Sequence, residues 1–149
     1  MEGMIIIKRP IVILIVIGIA FVFIGWYFFG NSFSINSRDV KSITLECVQD
    51  CIGMDNRPFL EKTITDKHSI NLFIKAINNS EKLSGSLDYG VMFLIRISFN
   101  NRTIKEFHLN ISKNKEASNG LLVSSSNSEK GYRILEKSTN DLRDIIYND

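Results

Sequence analysis

The stretch that decides the fold is VMFLIRISFNNRTIKEFHLNI, residues 91–111. Apolar residues alternate along 91–99 with the period of two that is typical of a β-strand, and further apolar residues on the second face favour a central position in a sheet. Asn100 and Asn101 suit a tight hairpin turn, because asparagine tolerates positive φ better than most residues. With a partner strand at 103–111, this stretch predicts an antiparallel hairpin.

Upstream of this hairpin, the sequence predicts an amphipathic helix that begins after Asp66 and ends near Asn79. Asp66 is a suitable N-cap. Apolar residues follow it at the i, i+3, i+4, i+7 spacing of a helix face: Ile70, Phe73, Ile74 and Ile77. Two earlier segments, 40–48 and 59–65, are predicted strands, and the loop between them makes the pair an antiparallel hairpin with a long connection.

Downstream, residues 120–124 and 132–136 are predicted as short strands joined by a serine-rich turn. Ser138 is predicted to begin a last helix, with Asp141 three residues later in the acidic form of a capping box. The element order is ββαββββα. It predicts an α+β domain over residues 39–149, a small antiparallel sheet with two helices packed on one face.

The N-terminus contains nineteen residues, 11–29, without a charge, Asn, Gln, Ser or Thr. In a helix that run is about 28 Å long, close to the thickness of a bilayer's hydrocarbon core. Lys8 and Arg9 precede it and aromatic residues 26–29 end it, which favours a cytoplasmic N-terminus. We therefore expect a single-pass protein of the cell membrane: cytoplasmic tail 1–9, transmembrane helix 10–29, linker 30–38 and extracytoplasmic domain 39–149.

An uncleaved signal anchor is favoured over a cleaved signal peptide, which would have a shorter apolar run and a small-residue cleavage site. Residues 30–32, Gly-Asn-Ser, are a poor substitute for such a site, and cleavage stays open. The abundance of Ile, Asn and Lys, against only three Ala, indicates an AT-rich bacterial genome.

The charge balance argues against a nucleic-acid partner. The formal net charge is +2, and 16 basic and 15 acidic residues remain once Lys8, Arg9 and Glu2 are set aside. A near-neutral, evenly mixed domain gives no electrostatic case for binding nucleic acid or an anionic membrane surface.

No catalytic, cofactor-binding or metal-binding constellation is evident. Cys47 and Cys51 are the only cysteines; outside the membrane they could form a disulfide, and the alternative is a buried apolar Cys47 with Cys51 in a loop. A zinc site would need more ligands nearby than His68 and His108 supply. His108 lies opposite the apolar face of its strand, where a solvated imidazole is expected. We therefore predict that the protein is not an enzyme and has no cofactor.

Four segments resemble a known family. They are INLFIKAINNSEKLSGSLDYG (70–90), FLIRISFNN (93–101), EFHLNIS (106–112) and GYRILEKSTNDLRDII (131–146). In that order they resemble the YhfM-like domains of extracytoplasmic lipoproteins in Bacillus-type bacteria. Asn110 stands where that family favours an aromatic residue, and the lipid-bearing cysteine is absent. The family has no established activity, so the resemblance implies compartment and fold and transfers no functional residues.

The favoured function is therefore a membrane-anchored binding module of the bacterial cell envelope, whose partner is an envelope protein, a peptide or a wall component. Its candidate contacts are Tyr89, His108, Tyr132 and the serine-rich loop 124–128. One alternative is a membrane-tethered hydrolase, which requires His108 in a concave pocket beside a cysteine, serine or carboxylate. The other is an accessory subunit of a membrane complex, with the N-terminal helix as its contact element.

Overall fold

The computed structural model describes residues 17–19, 33–85, 87–114 and 119–148. The chain divides into two units, residues 1–31 and 32–149. Residues 17–19 are helical; the rest of the predicted transmembrane segment 10–29 and the tail 1–9 lie outside the described residues. Among the residues that are described, no helix has the length and apolar character needed to cross a membrane.

The second unit is built around one antiparallel sheet of seven strands in the order β2-β1-β4-β5-β6-β7-β3. Its elements in chain order are a 3₁₀ helix (Ser37–Asp39), β1 (Val40–Cys47), β2 (Glu61–Ile64), α1 (Lys67–Asn78), β3 (Glu81–Lys82), β4 (Phe93–Phe99), β5 (Ile104–Asn110), β6 (Gly120–Ser124), β7 (Asn127–Ile134) and α2 (Glu136–Tyr147). The short strands β2 and β3 form the two edges.

The predicted fold class, a transmembrane helix followed by a ββαββββα domain, is wrong. The sheet has a seventh strand, and the described part contains no helix able to span a membrane. The additional strand, β3, pairs Glu81 with Arg133 and Lys82 with Tyr132 of β7. Its two residues are exposed and charged, so they carry no alternating apolar signal. The position of β3 takes the chain to the far edge of the sheet before it returns to the centre at β4.

Two further boundaries differ from the prediction. β7 begins at Asn127, before the predicted strand start at Tyr132, and α2 begins at Glu136 with Leu135 as its N-cap. Leu135 makes no side-chain capping bond, so the capping box predicted from Ser138 to Asp141 does not start this helix.

Helix α1 begins as the sequence predicts. Oδ1 of Asp66 accepts a hydrogen bond from the backbone N–H of Ser69 at 2.8 Å. This bond is the main reason that the pKa of Asp66 lies below its ordinary value. The buried residues recur on one face of the helix: Ile70, Phe73, Ile74, Ala76 and Ile77.

A single apolar cluster lies on one side of the sheet, which we call the inner face. The strands contribute Ile43, Leu45, Phe93, Ile95, Ile97, Phe107 and Leu109, and the helices contribute Phe73, Ile77, Leu142 and Ile146. Fully burying one such side chain contributes about 1.5–3 kcal/mol. Both helices therefore pack on the inner face, and the opposite, outer face carries the alternate residues of each strand.

The return from β3 to β4 crosses the outer face. We call residues 83–92 the crossover segment; residue 86 lies outside the described part. Its Leu87 lies over Gly131 of β7, so close that a Cβ on Gly131 would stand 2.0 Å from Leu87 Cδ1. The side-chain amide of Asn110 in β5 donates to the Gly90 carbonyl at 3.0 Å. The segment therefore covers the outer face from β7 to β5.

Candidate functional site

His108 and Tyr89 meet beneath the crossover segment. His108 stands on the outer face, in register between Leu94 of β4 and Val123 of β6. The Tyr89 hydroxyl and His108 Nδ1 share a hydrogen bond of 3.1 Å, and the pair is partly buried. The sequence predicts a solvated imidazole here, and the structure differs because the crossover segment covers this part of the sheet.

Tyr132 lies on the other side of the sheet. It pairs in register with Leu122, whose side chain is fully buried in the inner-face cluster. Its ring centroid is 4.4 Å from that of Phe33, and Phe33 in turn contacts Phe107 edge-on at 5.5 Å. Tyr89 and His108 thus come together, while Tyr132 belongs to a separate surface, and the three candidate contacts do not form one site.

The two cysteines are joined. Cys47 ends β1 and Cys51 lies in the turn that follows; their Cα atoms are 5.3 Å apart and their sulfur atoms are bonded. Both are buried, with 4% and 0% of their surface exposed. Since these are the only cysteines in the chain, neither thiol is available as a nucleophile or metal ligand.

The described residues do not assemble the reactive pair that a hydrolase based on His108 requires. The hydrogen-bond partner of the imidazole is Tyr89, and both cysteine sulfurs are in the disulfide. Nor do the described histidines, cysteines and carboxylates gather in a group of three or more that could hold a metal ion.

A groove of about 820 Å³ opens where the 3₁₀ helix, the start of β1, the start of α1 and the β4–β5 turn meet. We call it the cationic groove. Its charged and amide lining consists of Arg38, Lys41, Lys67, Asn71 and Asn100. A cavity of this size accommodates a small ligand.

The backbone beside Arg38 is held in place by two asparagines. The Arg38 N–H donates to Oδ1 of Asn36 at 3.1 Å, and the Arg38 carbonyl accepts from the side-chain amide of Asn100 at 3.1 Å. The backbone N–H of Asn100 also donates to the Asp39 carbonyl at 2.9 Å. The β4–β5 turn and the 3₁₀ helix are thereby joined, so the groove wall that carries Arg38 is preformed.

Within the described part of the chain, Arg38, Lys41 and Lys67 have no carboxylate partner, whereas Arg96 and Arg133 do. Arg96 lies between Glu46 at 2.8 Å and Glu106 at 3.0 Å, and these bonds raise its pKa. Arg133 pairs with Glu81. Three unpaired cations around one concavity favour an anion there, because their mutual repulsion is relieved when a negative group binds.

Sequence reasoning missed this site. Arg38 belongs to the predicted linker and Lys41 to the predicted first strand, and Lys67 follows Lys41 by 26 positions, so no motif connects the three. The near-neutral net charge of the domain also gave no sign of these three cations, because acidic residues elsewhere balance them. The one available signal is that Lys67 directly follows the predicted N-cap Asp66 and so must lie at the start of a helix.

Comparison with known proteins places the chain in a family. The sequence model of the family described as YhfM protein matches residues 52–149. This chain belongs to the YhfM family. The resemblance seen in the sequence segments is thereby confirmed. No curated protein matches the chain.

A solved structure with a similar fold is the crystal structure of a thioesterase-like protein from Clostridium sporogenes ATCC 15579. It shares 13% sequence identity with this YhfM-family chain, with a TM-score of 0.54 over 74% of this chain and 96% of the other. The likeness concerns the fold alone.

Proposed function

We propose that this protein is an extracytoplasmic binding module of the bacterial envelope and that it binds an anionic ligand in the cationic groove. The observation that carries the proposal is the placement of Arg38, Lys41 and Lys67 around one groove, with no carboxylate partner among the described residues. The Cys47–Cys51 bond supports the compartment, since disulfides form and persist mainly in oxidising environments outside the cytosol.

The groove also offers groups that suit the rest of such a ligand. The guanidinium of Arg38 can donate two parallel hydrogen bonds to a phosphate or carboxylate, and the lysines add positive charge. Asn100 uses its amide nitrogen on the Arg38 carbonyl, which leaves its side-chain oxygen to accept from a hydroxyl. Asn71 adds a further amide. A compound that carries both an anionic group and hydroxyls matches this lining.

The proposal is tested by calorimetric titration of the full chain, in an uncharged detergent because of its apolar N-terminal run, with inorganic phosphate and with glycerol phosphate. We expect millimolar or tighter binding that weakens as salt is added. Arg38→Gln and Lys67→Gln should each weaken binding about fivefold, on the order of 1 kcal/mol for a partly exposed contact.

Lys75→Gln is the matched control, because Lys75 lies on the same helix as Lys67, is exposed, and does not line the groove. It should leave the affinity unchanged. The proposal is rejected if neither anion binds, or if Lys75→Gln weakens binding as much as Lys67→Gln does.

The described residues do not support the two alternative functions that the sequence suggested, a tethered hydrolase and an accessory subunit. The likeness to a thioesterase-like protein is one of fold, and His108 is paired with Tyr89 and not with a nucleophile. The absence of catalysis, the role as an accessory subunit and the cell-membrane location stay predictions. The proposed binding activity depends on none of them.

A further inference from the structure

Two further grooves lie next to the cationic groove at the same end of the sheet. The next one, of about 480 Å³, shares Asn100 with it and is called the middle groove. A third, of about 630 Å³, shares Lys105 with the middle groove and is called the aromatic groove. Resting on the proposed function, we infer that the ligand is a linear acidic glycan, in which anionic groups alternate with neutral, hydroxyl-rich units, and that it runs through all three.

The middle groove suits a neutral part of such a chain. Apart from Lys105, its polar lining consists of amides, hydroxyls and one carboxylate: Ser34, Asn36, Asn100, Asn101, Thr103 and Asp39. Asn36 and Asn101 use their side-chain oxygens on Arg38 and Thr103, which leaves their N–H groups to donate to ligand hydroxyls. Asp39 offsets the charge of Lys105, so this groove has no excess positive charge to attract an anion. The unit that lies here is therefore uncharged.

The aromatic groove suits a sugar ring followed by a second anionic group. Phe107 is buried beneath it, and Phe33 and Tyr132 are half-buried beside it. Within the described part the Tyr132 hydroxyl has no hydrogen-bond partner, so it can bond to a ligand. Lys105 and Lys130 supply positive charge, and the one lining carboxylate, Glu106, is bound by Arg96. Residues 124–126 supply serine hydroxyls. Aromatic faces with a few placed polar groups are typical of specific ligand sites.

The alternation of lining chemistry separates this ligand from other polyanions. Positive charge is in excess at the first groove and at the third, where the one carboxylate, Glu106, is bound by Arg96. In the middle groove, Asp39 offsets Lys105. A single-stranded nucleic acid carries a charge on every unit and would place one beside Asp39. A lipid surface is broad and would not enter three grooves. A linear chain with charges on alternate units is narrow enough to enter the grooves and places no charge beside Asp39.

The test uses oligosaccharides of alternating glucuronate and N-acetylglucosamine, from two to ten sugars, titrated into the full chain. We expect the affinity to rise about tenfold between the disaccharide and the octasaccharide and then to level off, because the second anionic contact becomes intramolecular. Lys130→Gln and Tyr132→Phe should weaken octasaccharide binding about fivefold and leave disaccharide binding unchanged. Lys137→Gln, an exposed change on α2, should alter neither.

The outcomes separate this inference from the proposed function. If the disaccharide and octasaccharide bind equally well and Lys130→Gln has no effect, the acidic-glycan inference is rejected. The proposed anion site in the cationic groove still stands in that case, provided that phosphate binds and Arg38→Gln weakens its binding. Failure of phosphate and every glycan to bind overturns both. Tighter binding to a single-stranded oligonucleotide, or to vesicles of anionic phospholipid, than to the octasaccharide also overturns the glycan.

Discussion

The hydroxyl of Tyr89 lies 3.1 Å from Nδ1 of His108, and this hydrogen bond fastens the crossover segment to the outer face of the sheet. The ring centroids of the pair are 6.2 Å apart, and the rings are tilted by 47° to each other. The segment links the edge strand β3 to the central strand β4. Together with the bond from Asn110 to the Gly90 carbonyl, the Tyr89–His108 hydrogen bond holds the return from β3 to β4 on the outer face.

Replacing Tyr89 by phenylalanine should destabilise the fold by about 1 kcal/mol. The change removes one partly buried hydrogen bond and keeps the ring in place. Urea unfolding of the full chain measures the loss. Tyr132→Phe is the control, since the Tyr132 hydroxyl has no partner in the described part, and it should change stability by roughly zero. Equal losses in the two variants would contradict the attachment.

Thr139→Val should cost about 2 kcal/mol. Thr139 is fully buried; its Oγ1 accepts from the Gly120 N–H at 2.8 Å and donates to the Ile134 carbonyl at 3.0 Å. Valine fills the same space but removes both of these buried hydrogen bonds. Thr63→Val, on the exposed edge strand β2, should cost less than about 0.5 kcal/mol. A smaller loss at Thr139 than at Thr63 would show that α2 is not held to the sheet in this way.

Reduction of the disulfide should lower the free energy of unfolding by about 2 kcal/mol, the entropy of a closed loop of roughly five residues. The two cysteines are four positions apart. Equilibrium unfolding with and without a thiol reductant measures the difference. The double variant Cys47→Ala, Cys51→Ala should give the same midpoint in both conditions. If the wild-type midpoint is also unmoved by reductant, the bond does not contribute.

Tyr147 should make stability fall in alkaline solution. Its hydroxyl donates to the Ile111 carbonyl at 2.8 Å, and burial raises its pKa to about 12, against an opposing effect of Arg143. Because the folded state holds the phenol proton more tightly, this stabilisation is complete below pH 10 and is lost as the pH rises towards 12. The stability difference between wild type and Tyr147→Phe should shrink over that range. A difference that stays constant from pH 8 to 12 would count against the burial.

Local periodicity was enough to predict the elements that hold the core. The β4–β5 hairpin and the helix α1 each have an apolar periodicity within their own sequence, and the N-cap of α1, Asp66, directly precedes the helix. What failed depended on distant contacts. The strand β3 exists because β7 offers it a partner, and His108 is covered because Tyr89, nineteen residues earlier, returns across the sheet.

The candidate site could not be predicted for the same reason. Arg38, Lys41 and Lys67 become neighbours only when α1 packs beside the start of β1, and the turn at Asn100 completes the wall. The net charge of a domain does not show how its charges are arranged in space, so a near-neutral domain can have a locally cationic groove.

Mapping the anion by amide chemical shifts tests the central claim most directly. The full chain, labelled with ¹⁵N, is titrated with inorganic phosphate at low salt. The amides of Arg38, Lys41, Lys67 and Asn71 should shift together with one saturable affinity, while those of Tyr89 and His108 on the outer face should stay where they are. Shifts confined to the outer face, or spread over the lysines of every surface without saturation, would contradict a binding site in the cationic groove.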